Sequence, residues 1–317
     1  MAHVTLTIGV DIGGTKVLGA VVDENGEVLA QTRRDTPALD TGAIVDRTVA
    51  VIEELRAAHD VAAVGIGAAG WIDAARANVL YAPNLAWRNE PLRDLLAAKV
   101  DIPVVVENDG NVAAWAEFLY GAGRDADDSM VLVAVGTGIG SGIVIGGQLI
   151  RGSHGIAGEV GHVTSVPGGH LCGCGRLGCL EQYASGSALV RFARQAATDD
   201  PDVAKQMLKA AGSVEAINGP LVTQAAKAGD QAALAAFDQI AFWLGTGLAD
   251  LVQIFDPQVL VIGGGVVESG DLLLAPVRRH FDEALAQRGR LPVGEVRPAL
   301  MGNKAGVIGA ADLARRR

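Results

Sequence analysis

The alternation of apolar and polar positions divides the chain into short strands that repeatedly run into glycine turns. Residues 5–12 are an apolar run too short for a helix, bounded by Gly13-Gly14, and predict a buried strand. Strands at 17–22 and 27–33 follow, with Asp23-Glu24-Asn25-Gly26 as the hairpin turn between them. Apolar spacings of three and four predict an amphipathic helix over 43–59. Further strands fall at 62–67 and 104–107, the latter entering Asn108-Asp109-Gly110-Asn111 and a helix from Val112 to about Tyr120.

A second half opens on the same plan. A strand at 130–135 enters Gly136-Thr137-Gly138-Ile139-Gly140, and strands at 142–145 and 148–151 return from it. Residues 152–179 form a loop rich in Gly, Cys and His. Helices are predicted at 187–198, 203–211, 219–228 and 231–255, the last stopped by Pro257. A strand at 259–262 feeds Gly263-Gly264-Gly265, and a helix at about 304–315 closes the chain. Strand-then-glycine-turn thus appears three times, near residues 8, 135 and 262. The repeat implies two similar α/β halves with a small-molecule site in the cleft between them. The expected division is a small domain over 1–117, joined by the helix at 304–317, and a large domain over 118–303. At 317 residues the length also suits two domains.

Composition sharpens this picture. Hydrophobic residues are 50% of the chain, enough for packed cores and too many for disorder. The 42 glycines follow no triplet period, which excludes collagen, and they sit within apolar runs where backbone must turn or approach a ligand. A net charge of −10 disfavours nucleic acid and anionic lipid as partners. The basic cluster Arg315-Arg316-Arg317 is expected to complement the carbonyl end of the last helix. Residues 130–150 are uncharged, but their six glycines read as strands around a turn, not as a membrane span. With no basic leader and three crowded cysteines in place of a disulfide framework, the expected setting is cytoplasmic.

Four motifs carry candidate chemistry. Asp11-Ile12-Gly13-Gly14-Thr15-Lys16 places a carboxylate at a strand end, followed by amides that can face phosphate oxygens, with Lys16 to offset their charge. Asp11 could serve Mg²⁺; a plain hairpin turn is the alternative. Gly136–Gly140 and Gly263-Gly264-Gly265 add two further glycine turns, and the three together favour a nucleotide cradle. Glu107-Asn108-Asp109-Gly110-Asn111 could merely cap a helix. It offers more polar groups than a cap needs, and a carboxylate there could take the proton of a sugar hydroxyl. Finally, His162, Cys172, Cys174 and Cys179 supply one imidazole and three thiolates for a closed, structural zinc site. Buried free thiols are the alternative, and His170 is a minor rival to His162. Glu159 and Glu181 bracket this loop as surface charges or as hydrogen-bond partners of sugar hydroxyls.

VDIGGTK at 10–16, VENDGN at 106–111, GTGIGSG at 136–142, GEVGH at 158–162, CGCGRLGCLEQ at 172–182 and the glycines at 263–265 resemble the ROK (repressor, open reading frame, kinase) family. Within it, the chain looks most like the ATP-dependent glucokinases of actinobacteria. The resemblance implies an actin-like, hexokinase-type fold of two RNase H-like domains, with the last helix packed on the first. It implies phosphoryl transfer from ATP to the 6-hydroxyl of glucose, with Asp109 as general base. Sugar contacts would come from Gly70, Asn84, Asn108, Glu159, His162 and Glu181, and 83–87 would tune specificity. Asp11 would serve Mg²⁺. Gly13, Gly14, Thr15, Lys16, Thr137 and Gly138 would meet the phosphates, and Gly264 and Gly265 the nucleoside. A homodimer or homotetramer is the implied assembly. Position 110 departs from the family, which more often has alanine there; the glycine is expected to loosen the helix start by up to about 1 kcal/mol. Other hexoses or a polyphosphate donor remain open from the sequence. A sugar-sensing repressor is disfavoured, because no room precedes the first strand for a DNA-binding helix pair.

Overall fold

The computed structural model describes residues 5–82, 85–286 and 292–316. Two compact units account for them. Unit 1 comprises residues up to Leu132, Ser141–Glu159 and Ala299 onward; unit 2 comprises Val133–Gly140 and Val160–Pro298.

Unit 1 is built on a five-stranded sheet of β1 (Thr7–Ile12), β2 (Lys16–Val22), β3 (Val28–Asp35), β4 (Val64–Ala68) and β8 (Val104–Asn108), in the order β3-β2-β1-β4-β8. The hairpin strands pair antiparallel, while β4 lies parallel to both β1 and β8. β4 is buried along its whole length, as a parallel central strand requires. Helix α1 (Thr41–Arg56) packs the buried Ile44, Val51, Ile52 and Leu55 toward the core, with Asp40 accepting from the Ala43 amide as its N-cap. A small antiparallel sheet, β5 (Trp71–Ile72), β6 (Val79–Tyr81) and β7 (Arg88–Glu90), and the short α2 (Leu92–Ala97) complete this side. None of these was foreseen: strands of two or three residues carry no readable period.

Helix α3 (Asp109–Tyr120) leaves directly from β8, and the last helix, α10 (Ala305–Arg315), packs on the same unit. The contact is close enough to demand glycine. A Cβ on Gly9 or Gly65 would lie 1.7 or 1.8 Å from the carbonyl oxygens of Val307 and Ala310. The helix is pinned by the buried Asp312, which accepts from Trp115 Nε1 and the Tyr120 hydroxyl, each at 2.8 Å. Arg315 reaches the carbonyls of Thr5, Val22 and Asp23 and the Thr7 hydroxyl, and both Arg315 and Arg316 pair with Asp312. Arg315 thus stands in the last turn, at the carbonyl end of the helix as expected, and also ties the helix to β1, β2 and the residues beside them.

The second sheet, in the order β11-β10-β9-β12-β13, comprises β9 (Met130–Val135), β10 (Ile139–Ile145), β11 (Gln148–Leu149), β12 (Val259–Gly263) and β13 (Glu295–Pro298). It has the same order of neighbours as the first, so the repeat read from the glycine turns is a repeat of topology. The segment 130–150 is strand and turn, as its glycines indicated. Of this sheet, the start of β9, β10 from Ser141 and β11 fall in unit 1 and the rest in unit 2, which also holds α4 (Glu181–Ala184), α5 (Gly186–Asp199), α6 (Lys205–Ala211), α7 (Gly219–Lys227), α8 (Gln231–Phe255) and α9 (Asp271–Leu285). The sequence hid α9 behind Pro276, which sits inside it, and β13 is a polar parallel edge strand that ends on a proline. Helix α8 is long and apolar enough to cross a membrane by composition, but 56% of its most apolar window is buried within the fold.

Candidate active site

In unit 1 the chemistry gathers where β8 becomes α3. Asn108 is the N-cap of α3: its Oδ1 accepts from the Asn111 amide at 2.9 Å. Its Nδ2 is used as well, donating to the Gly70 carbonyl at 3.0 Å and to Asp109 Oδ1 at 3.1 Å. Asp109 Oδ1 also accepts from the Gly110 amide at 2.9 Å. The capping alternative and the catalytic reading therefore do not compete, because Asn108 caps and still offers its amide to Asp109.

Burial raises the Asp109 carboxyl from its ordinary 3.8 to about 6, and the nearby negative charge of Asp11 adds to the rise. Hydrogen bonds from Gly110 and Asn108 oppose it. Asp11, at the end of β1, is raised by burial too, with Lys16 pulling the other way. Two carboxylates that each resist ionisation are what a divalent cation would relieve, and in that sense the pair fits Mg²⁺. The turn after Asp11 is closed by the Gly13 amide on the Lys16 carbonyl at 3.0 Å, and Thr15, at its tip, is exposed. Gly70 has a positive φ of 129°. Glu159 is half-buried at the end of the Ser141–Glu159 segment. Asn84 lies outside the described residues.

Unit 2 carries the other candidates. His162, Cys172, Cys174 and Cys179 bring their ligand atoms within 4.8 Å of one another. Cys174 and Cys179 sulfurs are 3.7 Å apart, and Cys172 Sγ is 3.5 Å from His162 Nδ1. A tetrahedral zinc with bonds of about 2.3 Å requires sulfurs about 3.8 Å apart, so the set fits the ion. All three cysteines are free thiols, and His170 is not part of the cluster. Glu181, at the start of α4, stands between this loop and the glycine turn after β9. One of its oxygens is 3.4 Å from Cys172 Sγ, and the other accepts from the Ile139 amide at 2.9 Å.

That turn is shaped by Gly136 N on the Gly138 carbonyl at 2.9 Å and is held to the start of α5. The Gly186 amide meets the Gly136 carbonyl at 2.8 Å, and the Ser187 hydroxyl donates to Thr137 O at 2.8 Å. Beside it opens a cavity of about 820 Å³ lined by Gly136, Thr137, Ser187, Thr223, Gly265 and Glu268, among others. The volume suits a nucleotide. Gly264 adopts φ of 81° between β12 and this wall. Ser187, Thr223 and Glu268 went unread in the sequence because they sit on three separate elements with no shared spacing.

Two sheets of one strand order, with glycine turns after β1, β9 and β12, define the actin-like ATPase class. The model of the ROK family matches residues 7–317, and the chain belongs to that family. A glucokinase of Streptomyces coelicolor is 47% identical over 311 residues, 98% of each chain. Among solved structures, a ROK family glucokinase from Streptomyces griseus in complex with glucose and AMPPNP superposes with a TM-score of 0.89 at 50% identity, covering 98% of this chain and all of that one. A ROK hexokinase from Thermus thermophilus gives a TM-score of 0.79 at 33% identity, covering 98% of each.

Proposed function

We propose that the protein is an ATP-dependent glucokinase: it moves the γ-phosphoryl group of ATP to the 6-hydroxyl of glucose, giving glucose 6-phosphate and ADP. The observation that carries this reading is Asp109, a partly desolvated carboxylate held by the Asn108 amide at the head of α3. Full-length similarity to Streptomyces glucokinases supports it.

Asp109 takes the hydroxyl proton as the sugar oxygen attacks the γ-phosphorus, and the bond to the β–γ bridging oxygen breaks to release ADP. A base that titrates near 6 is ionised at neutral pH yet not so weak that it cannot accept the proton. Asn108 fixes the Asp109 carboxylate and, with Gly70, Asn84, Glu159, His162 and Glu181, contacts sugar hydroxyls. Gly13, Gly14, Thr15, Lys16, Thr137 and Gly138 present amides and charge to the phosphates, and the cavity by Gly264 and Gly265 takes the nucleoside. Asp11 would hold Mg²⁺, which when bound neutralises phosphate charge. His162, Cys172, Cys174 and Cys179 would hold a structural zinc that orders the loop preceding Glu181. The partners are thus small molecules, with neither nucleic acid nor membrane required; a homodimer or homotetramer in the cytoplasm completes the proposal.

The test is turnover of the purified protein on glucose, mannose, N-acetylmannosamine and fructose, each with ATP and with polyphosphate, in a coupled assay. Glucose with ATP should lead. The base assignment fails if Asp109→Ala keeps near wild-type turnover.

A further inference from the structure

One buried carboxylate beside the base has no part in the transfer itself. Glu107, the penultimate residue of β8, is 1% exposed. Its Oε1 accepts from the Asn108 backbone amide and from Asn111 Nδ2, both at 3.0 Å. Its Oε2 is paired with two guanidiniums, Arg76 Nε at 2.9 Å and Arg151 Nε at 2.6 Å. The arginines come from different segments of unit 1. Arg76 sits in the β5–β6 turn with a positive φ of 54°. Arg151 follows β11 and also donates to the Asp73 and Ala74 carbonyls of that same turn, at 2.8 and 3.0 Å.

Burying a carboxylate together with its charged partners is costly, and an apolar substitute of equal size often folds as well. Stability alone is therefore a poor reason for the arrangement. Geometry gives a better one. Glu107 grips the chain on both sides of Asp109, at the Asn108 amide and at the Asn111 side chain, while the two arginines brace its other oxygen against two further loops.

We propose that Glu107, braced by Arg76 and Arg151, is a positioning residue that sets the orientation of Asn108 and Asp109 for proton abstraction. Asn108 needs a fixed backbone because one side chain serves three partners: the Asn111 amide, the Gly70 carbonyl and Asp109 Oδ1. If the backbone rotates, the hydrogen bond to Asp109 is the interaction lost to the reaction. The inference rests on Asp109 being the base.

The experiment compares Glu107→Gln, Arg76→Gln and Arg76→Lys with the wild type and with Asp109→Ala, measuring kcat, both KM values, the pH profile and the thermal midpoint. Glu107→Gln keeps the shape but turns an amide toward two guanidiniums. Its kcat should fall about 100-fold, the usual cost of about 1 Å of misplacement. The KM for ATP should stay within about twofold. The acid limb of kcat/KM should move upward, because the Asn108 amide that favours ionised Asp109 is displaced. Arg76→Gln should show a smaller loss of the same kind, and Arg76→Lys should recover part of it. Arg76 is 30% exposed, so this pair decides the question if Glu107→Gln does not fold. Folded variants with wild-type kcat and an unmoved acid limb would overturn the proposal, whatever their thermal midpoints. An active Asp109→Ala would instead remove the base reading on which it rests.

Discussion

Replacing the proposed base with asparagine should stabilise the protein while stopping its chemistry. The Asp109 carboxyl is raised from 3.8 to about 6, roughly 2.2 units, or about 3 kcal/mol at 1.36 kcal/mol per unit. For an acid raised by folding, the sign is a penalty on the ionised form. Below about pH 3.8 the group is protonated in both states and costs nothing. Above about pH 6 the folded state holds a carboxylate that the unfolded chain would solvate better, and the full penalty applies. Asparagine removes the charge and keeps an oxygen for the Gly110 amide. Asp109→Asn should therefore gain about 3 kcal/mol at pH 8 and about half of that at pH 5. With an unfolding entropy of about 2.1 cal/mol/K per residue, a chain of this length gains about 1.5 °C per kcal/mol, or about 4 °C at pH 8. Paired thermal melts at pH 8, 6 and 5 measure it, and turnover should fall by at least 100-fold in the same preparations. A variant no more stable than wild type at pH 8, or a gain that does not shrink toward pH 5, would refute the reasoning.

Three other perturbations have equally definite outcomes. In wild type, kcat/KM should rise through about pH 6 as Asp109 ionises; Asp11→Asn removes a like charge and should shift that limb to lower pH, whatever it does to the plateau. Metal analysis should find about one zinc per chain, and Cys174→Ser should lose both zinc and glucose affinity; a metal-free, fully active enzyme would exclude the metal's role. Gly110→Ala should destabilise in spite of alanine's better helix propensity, because its Cβ would lie 2.3 Å from the Ser141 carbonyl oxygen; a thermal midpoint above wild type would show that β10 yields.

The last of these marks where local sequence reasoning stops. Gly110 reads as a weak point of a helix start when its own segment is considered, since alanine is the better helix former. In the fold it is the place where the first turn of α3 meets the backbone of β10, a contact between residues about thirty positions apart. The His/Cys cluster was legible for the opposite reason: all four of its residues fall within 162–179, so spacing alone brings them together. The glycine turns were legible because each ends a strand with its own apolar signature. The brace around Glu107 was not, because Arg76 and Arg151 look like ordinary surface arginines until the β5–β6 turn, itself too short to read, carries one of them to β8.

The contrast among the three carboxylates of this region shows how one unit assigns different work to the same functional group. Glu107 spends both oxygens on fixed partners, two amide nitrogens and two guanidiniums, and has nothing left for a substrate. Asp109, two residues on, has a helix amide and the Asn108 side chain on one oxygen and Asp11 as a charged neighbour. Burial first, and the charge of Asp11 second, raise its affinity for a proton into the range where accepting one from a hydroxyl is useful. Asp11 has Lys16 to temper its charge, and its burial beside Asp109 makes the pair a place where added positive charge is favoured. A guanidinium brought against Asp109 would hold its carboxyl down and leave a poorer base, at the same position in the chain.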